Sequence, residues 1–269
     1  MTETTRGGAR ADAASSSDVV LRTDGLTRRF GAFTAVDGVD LSVERGEFRS
    51  VIGPNGAGKT TLFNLVSGAM APTRGSITLL GEDVTALDPA ERVSKGLARS
   101  FQLTTVFDGL TVRENVRLAA QAVAYEGMPR FRRFFTDTDR LDGVNRSAAS
   151  VVERVGLERR ADLRADELSY GDRRRLEIGL VLATDPEVVL LDEPTAGMSG
   201  EETTATVELV EEVLAGKTLV LVEHDVDLVM RLSDRITVLN GGREIATGTP
   251  REIADDDRVQ EAYLGGYEA

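Results

Sequence analysis

The strongest constraint in this sequence is the run Val51-Ile-Gly-Pro-Asn-Gly-Ala-Gly-Lys-Thr-Thr61. It fits G-x-x-x-x-G-K-[ST] with Gly53, Gly58, Lys59 and Thr60 in the four fixed positions. Glycines at that spacing let the backbone curl until successive N–H groups point inward at phosphate oxygens. Lys59 then reaches the terminal phosphates, and the Thr60 hydroxyl is offered to Mg²⁺. A helix beginning near Gly58 adds its unpaired N–H groups and the positive end of its dipole. The flanks agree, because residues 47–52 read as a strand entering the loop and 60–66 as a helix leaving it. The run predicts a nucleoside triphosphate site formed by Asn55, Gly56, Ala57, Gly58, Lys59, Thr60 and Thr61.

Composition narrows the chemistry around that site. The 269 residues, 41% of them hydrophobic, suffice for one large α/β domain with a helical lobe. No stretch approaches the roughly 18–20 apolar residues of a membrane-spanning helix, and the N-terminus carries no apolar signal segment, so a cytosolic chain is expected. The absence of Cys excludes disulfides, thiolate metal sites and cysteine nucleophiles, and a single His, His224, excludes a zinc site built on several histidines. A net charge of −13 argues against nucleic acid as a partner. Lysine occurs only at Lys59, Lys95 and Lys217. That acidic, Lys-poor balance suits a salt-rich cytoplasm, and GC-rich coding would favour Arg equally.

Taken in order, residues 1–18 have almost nothing to bury and read as a disordered tail. The fold begins with a strand at 19–23, and alternation through Leu26 to Val43 predicts antiparallel strands. Phe30 precedes Val36 in this stretch and either stacks on a base or faces the core. A strand is expected at 76–80, and a helix start at Asp88-Pro-Ala-Glu91, with Asp88 as N-cap and Glu91 completing the capping box. A short strand at 97–102 ends in Gln102. Residues 111–125 read as a helix with Val112, Val116, Leu118, Ala119 and Val123 on its apolar side. Residues 127–146 interleave Arg with Phe. They read as an excursion between helices whose Phe side chains pack back, or as a contact for RNA or lipid headgroups. A second helix is expected from Ser147 to Val155, ending at Gly156, and a third after Ser169 as N-cap. Residues 187–193 form a continuous apolar strand ending in two carboxylates, the pattern of a buried parallel strand. Helix 201–215, strand 218–223, a helix after His224, strands 236–240 and 243–247 and a last helix complete the chain. Strands alternating with helices predict an α/β fold with a mostly parallel sheet wound on both faces.

The end of the apolar strand is the second chemical site. Asp192 stands where an Asp of a phosphate-loop ATPase holds the water shell of Mg²⁺. Glu193 is not needed for the metal, and a carboxylate beside the γ-phosphate can deprotonate the attacking water, so it is the candidate general base. His224 follows strand 218–223, which in a parallel sheet brings it to the same carboxyl edge.

Over residues 19–265 the chain resembles the ATP-binding cassette family. The carrying motifs are Gly53–Thr60, Gln102 after a strand, Leu168-Ser-Tyr-Gly-Asp172, the strand ending in Asp192 and Glu193, and His224 after another strand. The resemblance implies an antiparallel β subdomain at the N-terminus and a helical subdomain inserted at about 103–170. It implies that Ser169 and Gly171 contact ATP held by a second, head-to-tail ATPase subunit, identical or not. It further implies that Gln102 senses metal and water, that His224 touches the γ-phosphate and that Phe30, with Val36, serves the adenine. Two departures stand out: the family usually has Gly at 170 and Gln at 172, where this chain has Tyr170 and Asp172, and Leu-Asp where it has Met198-Ser199. A carboxylate at 172 near ATP is expected to weaken closure of the dimer. Leu-Ser-Tyr-Gly, Arg-Ser-Phe-Gln and the ending Glu-Ala-Tyr-Leu-Gly look most like importers of branched-chain amino acids, with urea importers as close neighbours. Permease subunits, an extracytoplasmic solute-binding protein reached through them and a place on the cytoplasmic face of the membrane are implied. A soluble cassette acting on nucleic acid or ribosomes is the alternative, which the single cassette without sustained heptads disfavours.

Overall fold

A computed structural model describes residues 18–100, 106–124 and 138–264. The strands are β1 (Val19–Phe30), β2 (Phe33–Val39), β3 (Ser42–Glu44), β4 (Phe48–Ile52), β5 (Arg74–Leu79), β6 (Glu82–Asp83), β7 (Leu97–Ser100), β8 (Val188–Asp192), β9 (Thr218–Val222), β10 (Arg235–Asn240) and β11 (Arg243–Gly248). The helices are α1 (Lys59–Val66), α2 (Pro89–Ser94), α3 (Val112–Ala124), α4 (Thr138–Arg154), α5 (Tyr170–Ala183), α6 (Gly200–Val213), α7 (Val226–Leu232), α8 (Pro250–Ala254) and α9 (Asp257–Leu264).

Two sheets result. β1 pairs antiparallel with β2, β3 and β5, with a register shift inside each ladder, and β5 carries β6. The larger sheet runs β11-β10-β4-β9-β8-β7, parallel throughout except for the β10–β11 hairpin. The α/β class, the mostly parallel sheet and the antiparallel N-terminal sheet are as expected.

Period-2 alternation explains how the larger sheet is covered. Val188 and Leu190 of β8 and Val220 and Val222 of β9 join one apolar cluster, while Val189, Leu191, Leu219 and Leu221 join another on the opposite face. The first cluster contains Leu62, Phe63, Leu65 and Val66 of α1 together with Leu21, Leu26, Val36, Val39 and Val43 of the small sheet. An eight-residue helix is not stable alone in water. Each of those side chains stabilises by about 1.5–3 kcal/mol on burial, so α1 exists because two sheets enclose it. The second cluster gathers α3, α4, α5 and α6.

In α3 the buried positions are Val112, Asn115, Val116 and Ala120. Leu118, expected on the apolar side, is exposed, because two residues beyond Val116 lies about 200° round the helix. Asn115 closes the preceding turn: its amide donates to the carbonyls of Phe107, Leu110 and Thr111, and its oxygen accepts the Phe107 N–H. α4 starts at Thr138, well before Ser147. Residues 138–146 are therefore helical, and the rest of the expected excursion, 127–137, lies outside the described residues, as do tail residues 1–17.

Arg92 holds α1 from below. It is charged yet 1% exposed. Its guanidinium donates to the carbonyls of Leu65 and Val66, both at 2.7 Å, and to those of Leu87 and Thr85, both at 3.1 Å. The last carbonyls of α1 lack intrahelical partners, and the negative end of its dipole favours a cation. Burial pushes the Arg92 pKa down from its usual value. Arg92 is presented by α2, whose capping box at Asp88 and Glu91 forms as expected. Arg92→Met keeps most of the volume and strands the carbonyls of Val66, Leu87 and Thr85, while Leu65 keeps the Gly68 N–H at 3.1 Å. At about 1–3 kcal/mol for each buried group left unsatisfied, the loss should reach at least about 3 kcal/mol, lowering Tm by roughly 6–12 °C. A calorimetric Tm within 2 °C or so of the unsubstituted protein would rule the clamp out.

Candidate active site

The phosphate loop leaves β4 at Gly53 and enters α1 at Lys59. Gly53 has φ 153°, and a Cβ there would stand 2.1 Å from the Leu239 carbonyl oxygen. Gly58 has φ 103°, and a Cβ would stand 2.4 Å from that of Ala35. The loop is thus wedged between β10 and β2. Gly58 gives α1 no side-chain cap, and no acidic residue occupies the first turn. The first ladder bond runs from the Leu62 N–H to the Gly58 carbonyl at 2.8 Å, so the N–H groups of Lys59, Thr60 and Thr61 precede it and suit an anion. Lys59 is 6% exposed, and its ammonium donates to the carbonyls of Gly53 at 2.6 Å and Pro54 at 3.2 Å. Burial pushes its pKa down, and the Glu193 carboxylate opposes that shift.

A cavity of about 320 Å³ is lined by residues 55–61, Phe33, Ala35, Glu193 and His224. Phe30 and Val36 are not among its lining residues. Val36 is fully buried in the core cluster. Phe30 is exposed, with the Arg28 guanidinium 4.8 Å from its ring centre. The aromatic in the cavity is Phe33, 63% exposed, which pairs with Phe30 across the β1–β2 turn.

The carboxylates leave β8 together. Asp192 Oδ2 accepts from Arg99 Nη2 at 2.5 Å, and Arg99 Nη1 donates to Asn64 Oδ1 and Ser67 Oγ, at 2.7 and 3.0 Å. Glu193 has φ 46°, rare for a side-chain-bearing residue. Its N–H donates to the Val222 carbonyl at 2.8 Å, and its Oε1 accepts from His224 Nε2 at 2.8 Å. Thr60 is exposed in the first turn of α1. A hydroxyl and one carboxylate are the donors Mg²⁺ takes when phosphates complete its shell. No group of three or more Asp, Glu, His or Cys able to hold a metal occurs among the described residues.

Ser169, Tyr170 and Gly171 are exposed at the start of α5 and do not line the phosphate-loop cavity. Tyr170 instead borders a second cavity, lined also by Arg174, Asp192, Glu193 and Pro194. The Ser169 hydroxyl accepts the Asp172 N–H at 3.2 Å and donates to the Asp172 carboxylate at 2.7 Å. Gln102 lies outside the described residues. Sequence reasoning missed Phe33, Arg99, Thr195 and Glu223. Only the pairing of two aromatics across a two-residue turn could have pointed to the first.

The two glycines Gly53 and Gly56 separate sterics from strain. Both have positive φ, yet a Cβ at Gly56 meets nothing within 4 Å. Gly56→Ala should cost only about 1–2 kcal/mol, whereas Gly53→Ala must displace β10 or the loop and should abolish nucleotide binding. Titration with a fluorescent ATP analogue checks this, and equal affinities for the two variants would refute the wedge.

Comparison with known proteins gives the site its context. Residues 36–196 match the family model described as ABC transporter, and residues 243–269 match the one described as Branched-chain amino acid ATP-binding cassette transporter. The high-affinity branched-chain amino acid transport ATP-binding protein LivG of Salmonella typhimurium is 42% identical, over 93% of this chain and 99% of that protein. The ADP conformation of MJ1267, an ATP-binding cassette of an ABC transporter, superimposes with TM-score 0.76 at 30% identity, over 92% of this chain and 99% of that one. A dimeric post-hydrolysis cassette, MJ0796 bound to ADP and Pi, gives TM-score 0.67 at 26% identity, over 86% and 99%. On these matches the chain belongs to the ABC transporter family as one of its ATP-hydrolysing cassettes.

Proposed function

We propose that the chain energises an importer of branched-chain amino acids by hydrolysing Mg-ATP at the interface of a head-to-tail dimer. The observation that carries the chemistry is the placement of Glu193 and His224 in one cavity with the phosphate loop. The solute class rests on the name carried by the LivG relative and on the match at residues 243–269. Permease subunits, a solute-binding protein reached through them and a seat on the cytoplasmic face of the membrane belong to the same reading. No helix of the described residues is long and apolar enough to cross a membrane.

In this reading the phosphates lie on the N–H groups at the start of α1, and Lys59 exchanges its two carbonyl partners for phosphate oxygens. Phe33 or Phe30 stacks on the base. Thr60 and Asp192 would hold Mg²⁺, assisted by Gln102, and the ion supplies neutralisation of charge on the β- and γ-phosphates. Water attacks the γ-phosphorus, the bridging P–O bond to ADP breaks, and the water proton passes to the Glu193 carboxylate. His224 Nε2, donating to Glu193, orients that carboxylate. The exposed Ser169 and Gly171 complete the ATP site of the second subunit, and an inserted helical lobe at about 103–170 presents them.

Glu193→Gln should bind ATP with little change and turn over about 10²–10⁴-fold more slowly. His224→Ala should also lower turnover with affinity retained. With ATP, Glu193→Gln should run as a dimer in light scattering and without it as a monomer. Steady-state ATPase near the unsubstituted rate in Glu193→Gln would sink the base assignment, and a monomer in both conditions would sink the dimer. Deletion of the gene should abolish uptake of labelled leucine, isoleucine and valine, and unchanged uptake would redirect the solute assignment.

A further inference from the structure

Glu223 is the residue of this edge that the proposed chemistry leaves without a task. It follows β9 directly, is 5% exposed, and forms no ion pair with a lysine or arginine among the described residues. A buried carboxylate is stable only when its oxygens are hydrogen-bonded. Here three donors supply this. Oε1 accepts the Thr195 N–H at 3.0 Å and the Thr195 hydroxyl at 2.5 Å, and Oε2 accepts the His224 N–H at 2.9 Å.

The identity of those donors matters more than their number. Thr195 lies two residues beyond Glu193, and His224 is the partner of the Glu193 carboxylate. Glu193 itself sits at φ 46°, a conformation that persists only where the surroundings over-determine it. Its N–H is already tied to Val222. The segment leaving β8 and the segment leaving β9 are therefore joined twice below the reacting pair, once through main chain and once through Glu223.

We propose that Glu223 is a positioning residue for hydrolysis: its buried carboxylate fastens Thr195 to the His224 main chain and so fixes the Glu193–His224 pair. This rests on the reading of Glu193 as base. A bland alternative is a carboxylate that merely fills and stabilises the turn, and the two differ in what an isosteric change does. Glu223→Gln keeps the shape but offers one oxygen and one NH₂ group, while donors stand at both ends of the carboxylate. At one end N–H must face N–H, and the pair shifts.

The test is steady-state ATPase on the purified subunit with Mg-ATP, beside ATP affinity and Tm. Because a misplacement of about 1 Å can cost about 10²-fold, Glu223→Gln should lower kcat by roughly 10–100-fold with ATP affinity within about threefold. Thr195→Val should fall in the same direction, and Thr195→Ser, which keeps the hydroxyl, should restore it. In a His224→Ala background Glu223→Gln should add little, since residues acting through one another do not multiply. Unsubstituted kcat in Glu223→Gln, a fully multiplicative loss in the double variant, or kcat, affinity and Tm falling in parallel would each overturn the proposal. Slow Glu193→Gln beside fast Glu223→Gln would overturn it while leaving the base assignment intact, whereas fast Glu193→Gln would remove that assignment first.

Discussion

Val51 of β4 stands opposite Val222 of β9, and Val222 stands opposite Asp192 of β8. This parallel register sets every distance in the site. Gly53 comes two residues after Val51, Glu193 one after Asp192 and His224 two after Val222, so all three leave the sheet at one level. Neighbouring strands lie about 4.8 Å apart, which puts the phosphate loop and Glu193 only about 10 Å from each other across β9. Strand register alone brings Gly53, Glu193 and His224 to this edge. The apolar side chains of β8 and β9, buried on both faces, fix that register, because a slip of one residue would exchange the two clusters.

The charges at this edge are arranged so that neither carboxylate is left to repel the other. Arg99, from β7, meets Asp192 and also Asn64 and Ser67 around the end of α1. Both partners of the ion pair are about nine-tenths buried, where Coulomb attraction is far stronger than at the surface. Glu193 is drawn to Lys59 and held by His224. Asp192 Oδ1 carries no hydrogen bond among the described residues, which leaves one of its oxygens unengaged. With Arg92 at its last turn, α1 is pinned at its lower end by two arginines from neighbouring elements while its first turn stays open.

What was legible in the sequence were the features encoded by local spacing. The phosphate loop, the two carboxylates after an apolar run, the caps at Asp88 and Ser169 and the parallel strands all depend on residues within a few positions of one another. Arg92, Arg99 and Glu223 depend on partners brought in by tertiary pairing, Arg92 on Leu65 across 27 residues, Glu223 on Thr195 across 28 and Arg99 on Asp192 across 93. A charged residue read singly looks like surface, so each was passed over. Val36, taken with Phe30 as an adenine contact on the strength of the resemblance, is instead turned into the core by strand alternation. The early start of α4 was hidden because residues 138–146 are mainly polar and hold only Leu141 and Val144 of the stripe that Ala148, Val151 and Val152 continue.

The two departures from the family pattern have local explanations. Asp172 does not present a bare negative charge at the start of α5, because Arg160 Nε lies 3.0 Å from its carboxylate and the Ser169 hydroxyl donates to it. That arrangement uses the Ser169 hydroxyl twice, as cap for the Asp172 N–H and as donor to its side chain. A phosphate arriving at this helix would therefore meet main-chain N–H groups first, and would gain the hydroxyl proton only by drawing it from Asp172. Ser199, where the family has Asp, caps α6 through a capping box with Glu202. Asp and Ser are equally good N-caps, so the helix start is preserved. Met198, apolar like the family's Leu, adds a polar contact: its sulfur accepts the Thr206 hydroxyl at 3.4 Å, and its N–H donates to the Thr195 carbonyl at 3.2 Å. Thr195 is thus shared between the turn that ends at α6 and the Glu223 carboxylate, so a displacement of the 194–199 loop is felt at His224 through two hydrogen bonds and one side chain.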